Sequence, residues 1–247
     1  YFFYNGGNDS MDTCNKISKY MAKVGYECRV MGVPKTIDND LAGTDHCPGF
    51  ASAAKYIATS FMEVSRDSKV YDTGMVTIVE CMGRHAGWLT AAAALAGIKN
   101  DGPDLVYLPE VDFDMDKFLA DVKRIYAEKK NCLVAVSEGI HYADGTFVSE
   151  AKTSGTDGFG HAQLGGLAAR LADVVKAATG AKVRPIELSL LQRCAAHCAS
   201  GTDMAESFMS GKTAVEEMLA GVTDKMVGFE CDRTNGYTCK AKLFDLS

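Results

Sequence analysis

Short apolar runs alternate with amphipathic stretches along most of this chain. Runs bounded by glycine, proline or polar residues predict strands, and apolar residues spaced three to four apart predict helices. The predicted strands cover residues 1–5, 28–33, 76–80, 104–109, 133–137, 183–188 and 226–230. The predicted helices cover about residues 11–24, 52–67, 89–96, 115–130, 162–178 and 203–220, and a polar tail follows the last strand.

The order of these elements predicts the class of fold. Strands and helices alternate, which is typical of an α/β protein with a doubly wound, mainly parallel sheet. Pro185 puts the strand at residues 183–188 on a sheet edge, because proline has no N–H to donate to a neighbouring strand. Residues 155–160 are glycine-rich and predict a mobile connection. Polar or glycine-rich residues follow several strands, and ligands of such sheets bind at the carboxyl ends of the strands.

Composition and charge exclude several classes of function. The 247 residues carry a formal net charge of −6, whereas a nucleic-acid-binding protein would show a basic face. Hydrophobic residues make up 47% and charged residues 23%, which is ordinary for a globular protein, and no apolar run reaches the length of a membrane span. We therefore expect neither a nucleic acid nor a membrane as a partner.

The cysteines indicate the redox compartment of the protein, and the first residues indicate whether the chain is a piece of a longer one. Nine cysteines lack the regular spacing of a disulfide framework, so we expect reduced thiols in the cytoplasm. Cys194, His197 and Cys198 have ligand-like spacing, but three ligands without a second group make a zinc site there unfavoured. The opening sequence YFFY resembles the middle of a core strand, so we expect the chain to be a piece of a longer protein.

The loop PKTIDND follows the second predicted strand and combines a cation, a hydroxyl and two carboxylates. Asp38 and Asp40 lie two positions apart, so on an extended backbone their side chains point the same way. Such a pair suits a site in which one carboxylate takes a proton while Lys35 holds a nearby anion. The alternative is a polar turn, which the loop taken alone favours. Other motifs change that balance.

The sequence GGNDS follows the first predicted strand and precedes a helix. This arrangement lets backbone N–H groups and the helix dipole receive an anion. The motif is weakly specific by itself. Asp9 also complicates a nucleotide site, because its charge lies where another anion would approach.

Three further side chains follow predicted strands. Arg84 suits bidentate binding of a phosphate, or it is a surface arginine that caps its loop, and the residue alone does not decide. Glu138 suits binding of a substrate hydroxyl, and Arg193 adds another cation. The residues by themselves predict an α/β enzyme that acts on a phosphorylated, hydroxyl-bearing small molecule, with phosphoryl transfer as the favoured chemistry.

With the motifs GGNDS, PKTIDND, MGRHAGW, SEG and LQR in this order, the chain resembles the phosphofructokinase family. The resemblance extends from Tyr1 to about Val227. It is greatest to the pyrophosphate-dependent branch, because ATP-using members generally carry glycine at the positions of Asp9 and Lys35. The charges agree: Asp9 would repel the α-phosphate of a nucleotide, and Lys35 would neutralise oxygens of the short inorganic donor.

The resemblance implies a reaction and a role for each motif residue. The reaction is transfer of a phosphoryl group from pyrophosphate to the 1-hydroxyl of fructose 6-phosphate, giving fructose 1,6-bisphosphate in glycolysis. The implied catalytic residues are Asp38, as the general base, with Lys35, Thr36 and Asp40. Binding of the sugar phosphate is implied for Met82, Gly83, Arg84, Glu138, Arg184 and Arg193. Binding of the donor is implied for Gly7, Asn8, Asp9 and Ser10, with Mg²⁺ held at Asn8 and Asp9.

The resemblance also implies an architecture and an assembly. The implied fold has two Rossmann-like three-layer domains with mainly parallel sheets, and its N-terminal part is missing here. Residues 1–49 plus 192–247 correspond to the donor side, and residues 50–191 correspond to the sugar-phosphate side. Arg184 matches an arginine that reaches into the site of a neighbouring subunit, which implies a homo-oligomer.

Three positions depart from the family pattern. Asn8 stands where many relatives carry an aspartate that helps to hold Mg²⁺, and Leu190 stands where a histidine or tyrosine helps with the 6-phosphate. Met75 replaces a cross-subunit arginine of the ATP enzymes. An ATP-dependent 6-phosphofructokinase and a catalytically silent regulatory subunit or fragment are the alternatives. A seven-carbon sugar phosphate also stays open as the acceptor, since hydroxyl recognition depends on pocket shape.

Overall fold

The computed structural model describes residues 1–149 and 166–246. In chain order the elements are β1 (Phe2–Gly6), α1 (Asn8–Val24), β2 (Val30–Pro34), α2 (Phe50–Ser68), β3 (Met75–Cys81), α3 (Trp88–Ala92), β4 (Leu105–Tyr107), α4 (Met115–Lys129), β5 (Asn131–Ser137), α5 (Leu167–Thr179), β6 (Val183–Glu187), α6 (Gly201–Leu219), β7 (Lys225–Asp232) and β8 (Thr238–Asp245). Short 3₁₀ helices cover Ala93–Lys99, Ser189–Arg193 and Ala196–Cys198.

The chain divides into two compact units. The first consists of Tyr1–Ser52 and the segment from Ala199 onward, and the second consists of Ala53–Cys198. The predicted connection at residues 155–160 and the first part of the helix predicted at 162–178 lie outside the described residues. Among the described residues, no helix is long and apolar enough to cross a membrane.

The first unit is a sheet with a helix on each face. Its strand order is β1-β2-β7-β8, in which β1, β2 and β7 are parallel and β8 is antiparallel. On one face Met11 of α1 packs with Met226, and on the other Met31 packs with Met218 of α6. Gly32 lets α1 approach, because a Cβ there would lie 2.6 Å from the sulfur of Met11.

The second unit holds an all-parallel sheet of order β4-β5-β3-β6. Every residue of β3 is buried, and consecutive apolar residues on a strand indicate that both faces of the sheet are covered. Val76 and Ile78 join the core formed with Phe118 of α4 and Leu171 of α5. The predicted α/β fold with mainly parallel sheets is therefore confirmed, and β6 lies at a sheet edge as Pro185 predicts.

Several element boundaries differ from the prediction. Helix α1 begins at Asn8, three residues before the predicted start, so Asn8, Asp9 and Ser10 form its first turn. Strand β2 begins at Val30 and ends at Pro34, one residue after the predicted end, and β7 pairs with it only at Met31 and Gly32. The helix predicted at residues 89–96 continues after α3 as a 3₁₀ helix.

The predicted polar tail is wrong, because residues 238–245 form β8. Cys239, Ala241 and Leu243 alternate there with Lys240 and Lys242. Alternation of this kind is typical of a strand with one covered face, and pairing with β7 supplies its backbone hydrogen bonds.

Candidate active site

In the first unit, the GGNDS and PKTIDND motifs follow neighbouring parallel strands. Gly6, at the end of β1, is in register with Pro34 at the end of β2. The backbone N–H of Lys35 donates to the carbonyl oxygen of Gly6 over 2.8 Å. The sheet thus brings the GGNDS and PKTIDND motifs side by side.

The start of α1 carries the predicted donor-binding residues. Gly7 is the N-cap and has no side chain to occupy the end of the helix, while the carboxylate of Asp9 lies exposed in the first turn. Gly6 must be glycine, since a Cβ there would lie 2.0 Å from the hydroxyl oxygen of Ser10. A negative side chain in the first turn stabilises the helix dipole and reduces the attraction of this end for a second anion.

The loop after β2 is a turn held by its own hydrogen bonds. The hydroxyl of Thr36 accepts from the N–H of Asp38 over 3.2 Å, and the amide of Asn8 donates to Oδ2 of Asp40 over 2.7 Å. Asn39 between the two aspartates has a left-handed φ of 57°. The backbone there is therefore not extended, and the argument from extended geometry for Asp38 and Asp40 is wrong. Thr36 is buried, Asp38 is half-buried, and Asp40 is exposed.

Lys35 lies at a pocket of about 430 Å³ in the same unit. Its side chain is exposed, so the ammonium group is available to an anion. The residues that line the pocket are Asn5, Val33, Pro34, Lys35, Pro48, Gly49, Asp203, Met204 and Ser207.

Asp203 is a site residue that the sequence reasoning missed. Its buried carboxylate accepts from the N–H of Gly49 over 2.8 Å and from both the N–H and the hydroxyl of Ser52. Gly49 forms a bridge with Thr36, whose N–H donates to the carbonyl of Pro48 over 3.2 Å. Asp203 thus holds in place the segment around Gly49 that pairs with Thr36. In the sequence, its place three residues after Ser200 indicated only a helix start.

In the second unit, the predicted sugar-phosphate residues gather at the carboxyl ends of β3 and β5. The N–H of Gly83 donates to Oε1 of Glu138 over 3.2 Å, and the hydroxyl of Ser137 donates to the carbonyl of Gly83 over 2.6 Å. Gly83 has a φ of 136°, and a Cβ there would lie 2.4 Å from the carbonyl oxygen of Ala86. Only glycine fits this position.

Arg84 and Gln192 complete this group. A Cβ on Gly139 would lie 1.9 Å from the carbonyl oxygen of Arg84, so the MGR and SEG motifs are in direct backbone contact. Gln192, which is buried, accepts the N–H of Met82 over 3.1 Å. The sequence reasoning singled out Arg193 in the LQR motif and missed Gln192. Nothing in the sequence indicated that an amide side chain would support Met82.

The two remaining predicted arginines are both on the surface, and Arg193 directly follows Gln192. Arg193 is exposed and ends a 3₁₀ helix. Arg184 is exposed on β6, in register with Thr77 near the amino end of β3, and lies 4.0 Å from Oδ2 of Asp67. Within this chain, Arg184 therefore does not join the carboxyl-end group.

One buried carboxylate beside this group has a displaced titration. Burial raises the pKa of Glu80 to about 7, although the carboxylate accepts the N–H of Ala168 over 2.8 Å. Its side chain lies on β3 and is 2% exposed. The carboxylate therefore changes charge near neutral pH.

The oxygen-rich residues of the first unit suit a hard cation. The amide nitrogen of Asn8 is engaged by Asp40, which leaves the amide oxygen of Asn8 as the atom able to bind a metal, next to the Asp9 carboxylate. Carboxylate and amide oxygens together with phosphate oxygens are the ligands that Mg²⁺ prefers. Within residues 1–149 and 166–246, Asp9, Asp38 and Asp40 do not form one of the close groups of three potential ligands.

Strand ends that present a lysine and carboxylates in the first unit, and strand ends with an arginine and a glutamate in the second, are typical of α/β proteins that bind phosphorylated ligands. The family model described as phosphofructokinase matches residues 1–218. The chain belongs to the phosphofructokinase family.

Similar proteins have names that specify a donor. The chain is 48% identical over 229 residues to a pyrophosphate–fructose 6-phosphate 1-phosphotransferase of Halomonas elongata, which covers 92% of this chain and 54% of that protein. It is 51% identical over 225 residues to the protein of the same name from Xanthomonas campestris, covering 90% of this chain and 54% of that protein. The chain thus spans about half the length of these relatives.

A solved structure gives the same fold. The crystal structure of a pyrophosphate-dependent phosphofructokinase from Marinobacter aquaeolei matches with a TM-score of 0.86 and 41% identity, over 100% of this chain and 59% of that one. The predicted resemblance and the predicted phosphofructokinase-like fold are confirmed.

Proposed function

We propose that the full-length protein transfers a phosphoryl group from pyrophosphate to the 1-hydroxyl of fructose 6-phosphate. The observation that carries the proposal is the hydrogen bond between Lys35 N–H and the carbonyl of Gly6, because it joins the loop bearing Lys35 to the turn that precedes Asp9. The lysine supplies positive charge for a short, highly charged donor, and Asp9 disfavours the additional phosphate of a nucleotide. The names of the similar proteins support the same donor.

In this proposal, Asp38 takes the proton from the sugar 1-hydroxyl as the hydroxyl oxygen attacks one phosphorus of pyrophosphate. The bond from that phosphorus to the bridging oxygen breaks, and orthophosphate leaves. Thr36 supports that role, since its hydroxyl accepts the N–H of Asp38 and fixes the backbone of the base. Asp40 stays engaged with Asn8, which holds the turn closed against α1. Phosphoryl transfer depends mainly on positioning and on charge, so a fixed base and a nearby cation are the principal requirements.

The cofactor of the proposed reaction is Mg²⁺. Asn8 and Asp9 would hold it, with Asp40 adjacent, and when bound the ion neutralises charge on the phosphate oxygens. Gly7 and Ser10 belong to the same helix start, and they would contact the donor through the backbone N–H of Gly7 and the hydroxyl of Ser10.

The acceptor is proposed to bind to the second unit. Arg84 and Arg193 would bind the phosphate and Glu138 would accept a sugar hydroxyl, while Met82 and Gly83 would present their backbone to the sugar phosphate. The first unit, Tyr1–Ser52 and the segment from Ala199 onward, would then be the donor side, and the second unit, Ala53–Cys198, the acceptor side. Arg184 pairs with Thr77, well before the carboxyl end of β3. This placement supports a role for Arg184 in the site of another subunit, and hence a homo-oligomer.

The proposed setting is glycolysis in the cytoplasm. All nine cysteines are free, which supports a reducing compartment. Burial raises the pKa of the Cys14 and Cys47 thiols to about 11, so both stay neutral at pH 7.

The test is the initial rate of fructose 1,6-bisphosphate formation by the full-length protein, with Mg²⁺ and fructose 6-phosphate, and with either pyrophosphate or ATP. We expect turnover with pyrophosphate only. The matched control is Asp38→Asn, whose rate should be at least about 10²-fold lower than that of the parent. Turnover with ATP only would refute the donor assignment. If neither donor works, a seven-carbon sugar phosphate is tested next, and inactivity there would favour the silent regulatory subunit.

A further inference from the structure

Four potential metal ligands converge in the first unit from separate parts of the chain. His46 lies in the loop after β2, Glu206 on α6, Cys231 on β7 and Cys239 on β8. The ligand atoms of His46, Glu206 and Cys239 all lie within 4.8 Å of one another. We refer to these four residues as the thiol–histidine cluster.

The two thiols of the cluster are neighbours across the β7–β8 hairpin. Cys231 is directly opposite Cys239 in the antiparallel register, so their side chains share one face of the sheet. The sulfur of Cys231 lies 3.7 Å from Nδ1 of His46 and 3.6 Å from the hydroxyl of Tyr237, which also contacts Glu206. The hairpin thus brings a second sulfur to the edge of the triad.

Asp45 and Arg233 fix the orientation of the His46 ring. Its Nδ1 lies 3.1 Å from Oδ1 of Asp45, and Arg233 holds the Asp45 carboxylate with two bonds of 2.9 and 2.8 Å. The paired guanidinium and carboxylate hold Asp45 in place against the ring of His46. A carboxylate behind a histidine, with the other ring nitrogen facing forward, is the usual second shell of a metal-binding histidine.

The forward nitrogen faces a carboxylate. Nε2 of His46 lies 2.7 Å from Oε2 of Glu206, whose residue is 6% exposed. A ring nitrogen and a carboxylate oxygen therefore face each other in a position where both could bind one cation.

We propose that His46, Glu206 and Cys239 bind one zinc-type divalent cation, with Cys231 beside the site on the Nδ1 side of His46. Nitrogen, carboxylate oxygen and thiolate sulfur are the ligand set of Zn²⁺, whereas Mg²⁺ takes oxygen ligands only. The cation takes the place of the hydrogen bond between His46 and Glu206, and any proton on Nε2 and the proton of the Cys239 thiol are released to water. Bound there, the cation joins the β7–β8 hairpin to α6 and to the loop after β2.

The cluster with ligand-like spacing in the sequence does not have this geometry. Among the described residues, Cys194, His197 and Cys198 form no close group of three ligands. Cys194 is exposed and its thiol lies 3.1 Å from the carbonyl oxygen of Leu190, while the ring of His197 packs edge-on against Tyr56. Cys194 is therefore a suitable control for the thiols of the cluster.

The test is metal binding by the full-length protein after removal of metals by a chelator. We expect one high-affinity Zn²⁺ per chain by competition with a chromophoric chelator. Substitution with Co²⁺ should give a thiolate-to-cobalt charge-transfer band in the near ultraviolet. Cys239→Ser should lose that band or reduce it, and Glu206→Gln should weaken zinc binding at least about 10-fold. Cys194→Ser should behave as the parent.

The outcomes separate clearly. Circular dichroism of each metal-free variant excludes loss of fold as the cause of lost binding. No zinc binding by the folded parent, or equal binding by parent, Cys239→Ser and Glu206→Gln, would overturn the proposal and leave a proton shared by His46 and Glu206. Loss of binding in Cys194→Ser alone would also overturn it. Activity is not measured, so the result does not depend on the proposed reaction.

Discussion

The side-chain amide of Asn8 donates a hydrogen bond to Oδ2 of Asp40 over 2.7 Å and so ties the first turn of α1 to the loop after β2. An aspartate at position 8 would make this contact repulsive, because two carboxylates would then share one proton or one cation. Asn8 thus keeps the two motifs together without a metal, whereas an aspartate would make their association depend on one.

We predict that Asn8→Asp destabilises the full-length protein in a chelator by about 1 kcal/mol and that millimolar Mg²⁺ reverses the loss. The measurement is the free energy of unfolding with and without Mg²⁺. The matched control is Asp12→Asn, which changes an exposed carboxylate on the same helix. A loss that Mg²⁺ leaves unchanged would contradict a metal site at Asn8 and Asp9.

We predict that Asp38→Asn lowers kcat by a factor of about 10² to 10⁴, which is the usual contribution of a general base. The amide keeps the shape of the carboxylate and cannot take the proton of the sugar hydroxyl. Binding of fructose 6-phosphate, followed by calorimetry, should change little. Turnover at the parent rate would remove Asp38 from the mechanism.

Asp203 is expected to act as a positioning residue through Gly49 and Thr36. Asp203→Ala leaves the N–H groups of Gly49 and Ser52 without their acceptor, so we expect a loss of about 2–4 kcal/mol in the free energy of unfolding. We also expect kcat to fall, with KM for the sugar phosphate little changed. Asp203→Asn, which keeps one oxygen for Gly49, should restore part of kcat.

Ser207→Ala is the control for Asp203, since Ser207 lines the same pocket on α6. Its stability and kcat should match the parent. If Asp203→Ala unfolds more easily but keeps the parent kcat at a temperature where it is folded, Asp203 has only a structural role.

Stability should depend on pH through Glu80. Burial raises its pKa from 4.5 to about 7, so the folded state holds the proton more tightly than the unfolded state does. The free energy of unfolding therefore falls as pH rises from 4.5 to 7, by on the order of 3 kcal/mol, and this loss is complete above pH 7.

Glu80→Gln should remove this pH dependence. The free energy of unfolding of the variant minus that of the parent should therefore increase as pH rises through this range. Any effect of the substitution that does not depend on pH adds the same amount at every pH. Denaturant unfolding at pH 4.5, 6 and 8 measures the difference. Glu63→Gln, an exposed site on α2, should follow the parent profile. A constant difference between Glu80→Gln and the parent at all three pH values would show that Glu80 titrates normally.

Local patterns predicted most of the fold. The buried runs of β3 and β5, and the helical spacing of Phe118 and Val122 in α4, depend on residues close in sequence, and the structure has the elements they predict. Strand β8 was missed because its lysines hide a regular alternation. The positions of Lys35 and Glu138 at strand ends were also predicted locally, because each follows a short apolar run.

Contacts between distant residues could not be predicted in this way. Asp203 contacts a residue 154 positions away, and His46 contacts Glu206 across 160 positions. A single sequence gives no sign of such pairs, because each side chain has an ordinary local role as well. The extended geometry expected for Asp38 and Asp40 failed for a related reason. The left-handed Asn39 is held by a bond from Cys47, eight residues away.

The first unit is assembled from both ends of the described chain, and this determines the order in which it can form during synthesis. The N–H of Val30 donates to the hydroxyl of Thr223, a residue made 193 positions later. At about 5–20 residues per second, the ribosome needs roughly 10 to 40 s to supply that partner. Strands β1 and β2 therefore wait for β7 with an apolar face exposed, while the parallel sheet of the second unit is already fully translated. We expect this interval to be the period in which a nascent chain most needs a chaperone.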